Sequence, residues 1–263
     1  MTKILVICRG EAFRQGDVNT RRTASCDYDA EKKVLETFVS YVLNPLLRRD
    51  EATSITVFCD ATFSRPEEIQ QWYEALWKES LEGKCNVQIR MRKRLSTKTQ
   101  KMGIVQSMKH AKSEQFDFTI VTRNNMIWKH EIPFLTPDRT GDIGFLSFNT
   151  SDFGATRSGR RASRGLWHDY VRVEDKYIIV PRARLDEFLA WLTTHSDNVD
   201  VTQGVHDISS PIVGLQDLTI AWPIKLSSNT SLMDNPLYTL VGRPTGSPSN
   251  QTLLPSPTWQ VVQ

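Results

Sequence analysis

Three groups of polar residues stand directly after apolar, strand-like runs, and their types suit the capture of an anionic ligand. Arg9-Gly10-Glu11 follows the run KILVIC at residues 3–8, Asp60 follows SITVFC at 54–59, and Arg123-Asn124-Asn125 follows FDFTIVT at 116–122. A guanidinium presents paired N–H donors that match two phosphate oxygens at once, so Arg9, Arg14, Arg22 and Arg123 make a set able to clamp a pyrophosphate. Asp60 can accept hydrogen bonds from a ribose or a base edge, and Gly10 lets backbone approach a ligand closely. Taken singly, each also reads as a solvated loop group with an internal salt bridge. Arg123, for example, reads as a strand cap paired with Asp117 or Glu131.

These groups form a site only if their strands lie side by side. After the first strand, apolar residues at Val34, Leu35, Phe38, Val39, Val42, Leu43 and Leu46 repeat at helical spacing across 30–47. A second strand ends at Asp60. Pro66 then opens a helix through Leu81 carrying Ile69, Trp72, Tyr73, Leu76 and Trp77, and residues 86–91 alternate as a third strand. Residues 99–112 read as a helix and 116–122 as the clearest strand of the chain. Strand and helix alternating in this way predict an α/β, Rossmann-like fold, a mostly parallel sheet with helices on both faces. In such sheets ligands bind outside the carboxyl ends of the strands, where all three groups stand. Beyond Trp128 the reading is more irregular: strands at 143–148 and 177–180, a Gly, Ser and Arg-rich loop between them, and a helix at 184–193 introduced by Pro181.

The 263 residues carry 39% apolar and 24% charged side chains with a net charge of +3, so bulk electrostatics does not mark a polyanion binder. Cys8, Cys26, Cys59 and Cys85 share no metal-ligand spacing, and Cys8 and Cys59 lie in apolar runs as buried thiols of a reducing compartment. No signal peptide or membrane span is legible, so the expectation is a soluble, cytoplasmic protein; the N-x-S/T matches at Asn149, Asn229 and Asn250 then read as coincidence. No GxGxxG, GxxxxGK[ST] or GxSxG pattern occurs, which disfavours the dinucleotide fold, the P-loop and the hydrolase elbow.

The segment KMGIVQSMKHAKSEQFDFTIVTRNNMIWK resembles the core of a GT-A glycosyltransferase, in which a helix of the form G-x₇-A, here Gly103 to Ala111, leads into an apolar strand. In that family the strand ends in an acidic metal-binding motif. Here Arg123-Asn124-Asn125 stands in its place, so the expectation is no metal ligand, with Arg123 supplying the positive charge. RGEAFRQG, VTRNNMIWK, VEDKYIIVPRARLDEFL and NPLYTLVGR are similar, in order and spacing, to glycosyltransferases of large algal DNA viruses, chloroviruses among them, and of some microbes.

That resemblance implies a single GT-A-like domain over 1–243, with a nucleotide-sugar half at 1–128, an acceptor half at 129–243 and an irregular tail at 244–263. It implies a nucleotide-sugar donor, UDP-linked and with xylose among its sugars, and a glycan acceptor such as the N-glycan of a viral capsid protein. An inverting transfer needs a carboxylate base, for which Asp175 and then Asp169 are the candidates, with Glu174 beside them. His168 and His206 could hydrogen-bond an acceptor, and Trp128, Trp167, Tyr170 and Trp222 could stack on sugars, though each also reads as core or surface. Two basic stretches, one holding Arg90, Arg92, Lys93, Arg94, Lys98 and Lys101 and the other Arg157, Arg160, Arg161 and Arg164, read as a cationic rim and a lid. They also keep a nucleic-acid-binding protein open as an alternative, beside another nucleotide-using enzyme such as a nucleotidyltransferase.

Overall fold

A computed structural model describes residues 1–13, 26–49, 53–63, 66–93, 100–132, 134, 140–149, 172–173, 177–194, 218–224, 238–240 and 260–262. Arg14, Arg22, Asp169, Glu174 and Asp175, with His168, His206, Trp167, Tyr170 and the second basic stretch, lie outside them.

The strands of the amino-terminal half are β1 (Lys3–Glu11), β2 (Ser54–Phe63), β3 (Asn86–Lys93), β4 (Phe118–Arg123) and β5 (Met126–Trp128). Between them run helices α1 (Tyr28–Phe38), α2 (Asn44–Leu47), α3 (Glu67–Leu81) and α4 (Gln100–His110). The later half adds β6 (Ile143–Asn149), β7 (Arg172–Val173), β8 (Tyr177–Pro181), helix α5 (Leu185–Thr194), β9 (Leu218–Ile224), β10 (Tyr238–Leu240) and β11 (Gln260–Val262). The main sheet has the order β11-β9-β6-β8-β4-β1-β2-β3, with β7 beside β6. β3, β2, β1 and β4 are mutually parallel, whereas β8 is antiparallel to both β4 and β6. The fold is therefore the expected α/β architecture, a parallel Rossmann-like core extended by a mixed flank. Within the segment read as an irregular tail, Gln260–Val262 forms β11, which pairs antiparallel with β9.

Side-chain alternation divides the core. Ile4, Val6 and Cys8 of β1 face α1 and α3, together with Val57, Cys59, Tyr73 and Trp77. Leu5 and Ile7 face α4 and α5, together with Phe58, Ile104, Met108, Phe188 and Leu192. Both faces are covered, which explains why the central strands read as continuous apolar runs.

The helix expected across 30–47 spans those residues but is broken by a π segment at Val39–Leu43. Pro45 is the cause: it has no N–H to donate to the carbonyl of Tyr41, and its ring crowds that carbonyl. The Tyr41 carbonyl is satisfied instead by the Ile132 N–H at 2.8 Å, so the helix defect becomes an anchor for the chain beyond β5.

Where β1 ends, Phe13 adopts a left-handed backbone with φ of 50°. Its N–H donates to Glu31 Oε1 at 2.7 Å, and its ring packs among Tyr28, Phe63, Trp72 and Tyr73. Burial pushes the Glu31 carboxyl up to about 8; the Phe13 hydrogen bond opposes the shift and the charge of Asp27 adds to it. The folded state thus holds this proton more tightly than the unfolded chain. The associated stability is full below the ordinary value of 4.5, is lost as pH rises, and levels off above about 8. The thermal midpoint of the wild type is expected to fall relative to that of Glu31→Gln across this interval. Parallel midpoints from calorimetry at several pH values would show that Glu31 ionises normally.

Candidate anion-binding site

Strand register decides whether the polar strand ends meet. Arg9 of β1 is the Cα partner of Asp60 on β2 and of Arg123 on β4, and Asp60 is the partner of Arg90 on β3. Arg90, Asp60, Arg9 and Arg123 therefore form one row across four parallel strands at their carboxyl ends. Because alternate residues share a face, the row lies on the α4 side, continuing Leu5 and Ile7 of β1 and Val121 of β4. Arg92, two residues beyond Arg90, shares that side.

Asp60 does not present a carboxylate for a ribose. It is fully buried and accepts four hydrogen bonds, two on each oxygen, which uses its whole capacity. Arg90 binds it side-on, Nε to Oδ1 at 2.9 Å and Nη2 to Oδ2 at 2.5 Å. Arg92 Nε donates to Oδ1 at 2.7 Å, and the Ser107 hydroxyl of α4 lies 2.5 Å from Oδ2. Burial disfavours the ionised form of Asp60, yet the Arg90 and Ser107 hydrogen bonds and the charges of Arg92 and Arg90 outweigh it and hold the carboxyl below its ordinary value. The Asp60 carboxylate, expected as a ligand group, instead fixes Arg90 and Arg92.

Helix α4 closes over the row. A Cβ on Gly103 would lie 2.4 Å from Arg9 Nη2, so the missing side chain is what lets the Arg9 guanidinium lie against the helix. One turn later Ser107 reaches Asp60. Gly103 and Ser107, on one side of α4, thus stand over Arg9 and Asp60.

The turn after β4 splits between the two faces. Arg123 is 6% exposed, and its Nε donates to Asn125 Oδ1 at 3.1 Å. Its proposed partners are engaged elsewhere, since Glu131 pairs with Arg48 and Asp117 accepts from the Lys3 N–H. Asn124 turns the other way, donating from Nδ2 to the Tyr73 hydroxyl at 3.1 Å while its N–H continues the ladder to the Arg9 carbonyl. Gly10, with φ of 152°, packs so tightly on Asn124 that a Cβ there would lie 2.1 Å from Asn124 Oδ1. Gly10 and Asn124 therefore lock β1 to β4 rather than face the arginines. Glu11, the last residue of β1, is partly buried opposite Thr62.

In the row itself the one carboxylate, Asp60, is saturated, and the β4 terminus offers a guanidinium and two amides. Among the described residues no three His, Cys, Asp or Glu side chains gather as a metal site, and no helix is long and apolar enough to cross a membrane.

Reading the sequence did not single out Ser107 or Glu31. Ser107 carried a faint signal, a small hydroxyl on the apolar side of α4 one turn after Gly103. Glu31 carried none, because an acidic residue in the first turn of a helix is expected on the macrodipole alone. Arg90 and Arg92 were visible only as part of a basic run; their alternation with Ile89 and Met91 was the clue to their common face.

No protein-family model and no curated relative matches the chain. Among solved structures, the chain is similar to a protein from Desulfovibrio desulfuricans G20 described as a nucleotide-diphospho-sugar transferase, at 11% identity and a TM-score of 0.38, covering 77% of this chain and 71% of that one. It is also similar to a nucleoside-diphosphate-sugar pyrophosphorylase from Vibrio cholerae RC9, at 12% identity and a TM-score of 0.42, covering 80% and 86%. Likeness of this extent is too slight to carry an inference about activity.

The buried carboxylate has a measurable consequence. Asp60→Asn should lower the unfolding free energy by about 2–4 kcal/mol, because Arg90 and Arg92 lose their counter-charge, whereas Ser107→Ala should cost about 1 kcal/mol. The wild type should also lose stability as pH falls below the ordinary aspartate value of 3.8, and Asp60→Asn should lack that component. Denaturant unfolding of the three proteins checks the order; a neutral Asp60→Asn would remove the carboxylate from the centre of the row.

Proposed function

We propose that the chain is a transferase that uses a nucleotide sugar, with the donor diphosphate held by Arg9 and Arg123. The observation that carries this reading is the placement of those two arginines side by side in register on adjacent parallel strands, with Arg9 packed against Gly103 of α4. Two guanidiniums on one face form an electrostatic seat for a diphosphate. Arg14 and Arg22, in the segment that follows β1, complete the clamp in this reading.

The reaction that suits this arrangement is glycosyl transfer. An acceptor hydroxyl oxygen attacks the anomeric carbon, the bond from that carbon to the diphosphate oxygen breaks, and the electron pair leaves with the diphosphate. The hydroxyl proton passes to a carboxylate, for which Asp175 is the first candidate and Asp169 the second. Arg9 and Arg123 stabilise the charge that develops on the leaving group. The sequence resemblance adds a UDP-linked donor, with xylose the first sugar to test, and a glycan as acceptor.

A donor present at about 100 times its Kd should stabilise the native state by about 2.7 kcal/mol, a rise of roughly 5–10 °C in the thermal midpoint for a chain of this size. Arg123→Ala should abolish the rise, and excess EDTA should leave it unchanged in the wild type. A salt-sensitive shift of oligonucleotides in a gel, with no thermal response to any nucleotide sugar, would replace this reading with nucleic-acid binding.

A further inference from the structure

Arg90 and Arg92 stand apart from the donor seat just described. Arg9 lies against Gly103 on α4 and Arg123 turns to Asn125, whereas Arg90 and Arg92 project from β3, which ends the sheet order, and bend inward to Asp60. With strands about 4.8 Å apart, the backbone of Arg90 lies about 10 Å from that of Arg9 and about 14 Å from that of Arg123.

Positive charge on an edge strand has an ordinary explanation, since it discourages pairing with another sheet. That need is met by arginines extended into water. It gives no reason to bury a carboxylate completely, surround it with two guanidiniums and a serine, and hold both arginines with their side chains only 21% and 22% exposed. Arg90 is braced further by Phe58, whose ring centroid lies 5.4 Å from its Cζ. The arrangement fixes two forks at one place.

The donor count shows what those forks still offer. A guanidinium has five N–H groups; Arg90 directs two to Asp60 and Arg92 one. Three remain on Arg90 and four on Arg92, and neither meets another protein acceptor among the described residues. Two cations against one saturated carboxylate leave a net charge of +1 on side chains that keep 21% and 22% of their surface exposed.

We propose that Arg90 and Arg92, braced on Asp60, form a phosphoryl-binding seat of their own, taking the phosphate monoester of a ligand other than the nucleotide donor. A tetrahedral phosphoryl group has three oxygens for the remaining N–H donors and carries a charge opposite to the surplus. Asp60 acts here as a positioning residue: it spends its own hydrogen-bonding capacity to set the angle between the forks. The seat stands on these contacts alone and does not require that the donor be a nucleotide sugar.

Inorganic phosphate is the probe for this seat and uridine diphosphate for the donor seat, each titrated by calorimetry into the wild type, Arg92→Gln and Arg123→Ala, with circular dichroism to confirm folding. Phosphate binding should weaken about tenfold in Arg92→Gln, the loss of a charge-assisted fork, and stay within about twofold of wild type in Arg123→Ala. Uridine diphosphate should show the reverse pattern. Absence of phosphate binding to the wild type, equal phosphate affinity in Arg92→Gln, or parallel loss of both ligands in Arg92→Gln would each overturn the separate seat. Failure of uridine diphosphate to bind the wild type counts only against the transferase reading, because the phosphate comparison is unaffected by it.

Discussion

A carboxylate with no exposure to solvent, Asp60, is the constraint around which the carboxyl edge of this sheet is arranged. Removing an ionised carboxylate from water costs several kcal/mol unless charge and hydrogen bonds replace the lost hydration. Here the replacement comes from three side chains on two elements: Arg90 and Arg92 from β3, and Ser107 from α4. One buried charge thus fixes the edge strand, the covering helix and the direction of two arginines. Were Asp60 apolar, the arginines would extend into water and α4 would lose its Ser107 hydrogen bond to the sheet.

The opposite face of the same edge is built from neutral contacts. Gly10 on Asn124, Asn124 on the Tyr73 hydroxyl, and Phe13 among four aromatic rings tie β1, β4, α1 and α3 together without charge pairs. The division follows from strand alternation: residues 9, 60 and 123 face α4, whereas residues 8, 59 and 124 face α1 and α3. Cations converge on one side because tightly packed apolar and amide groups hold the strand ends in register on the other.

Much of the fold was legible in the sequence because both faces of the sheet are covered. Such strands must be apolar throughout, so 3–8, 54–59 and 116–122 stand out, and helices between them must return the chain to the same edge. Short strands were not legible: β5, β10 and β11 have three residues each, too few for a period. The π segment before Pro45 was signalled by the proline, but its consequence depends on Ile132, almost ninety residues away, which no local pattern reveals. At the site, the alignment of Arg9, Asp60 and Arg123 follows from strands ending together. The occupation of Asp60 does not, because it depends on which face Arg90 and Ser107 present and on how close α4 approaches at Gly103.

The arginine row at a parallel sheet edge is the physical basis for the proposal that this chain takes a phosphate-bearing ligand. Its most direct test is a crystal structure determined with uridine diphosphate at saturating concentration. The account predicts difference density for two phosphates on the α4 side of the carboxyl edge, with oxygens within hydrogen-bonding reach of Arg9 and Arg123. Nucleotide density on the α1 and α3 side, or anywhere away from those two guanidiniums, would contradict it.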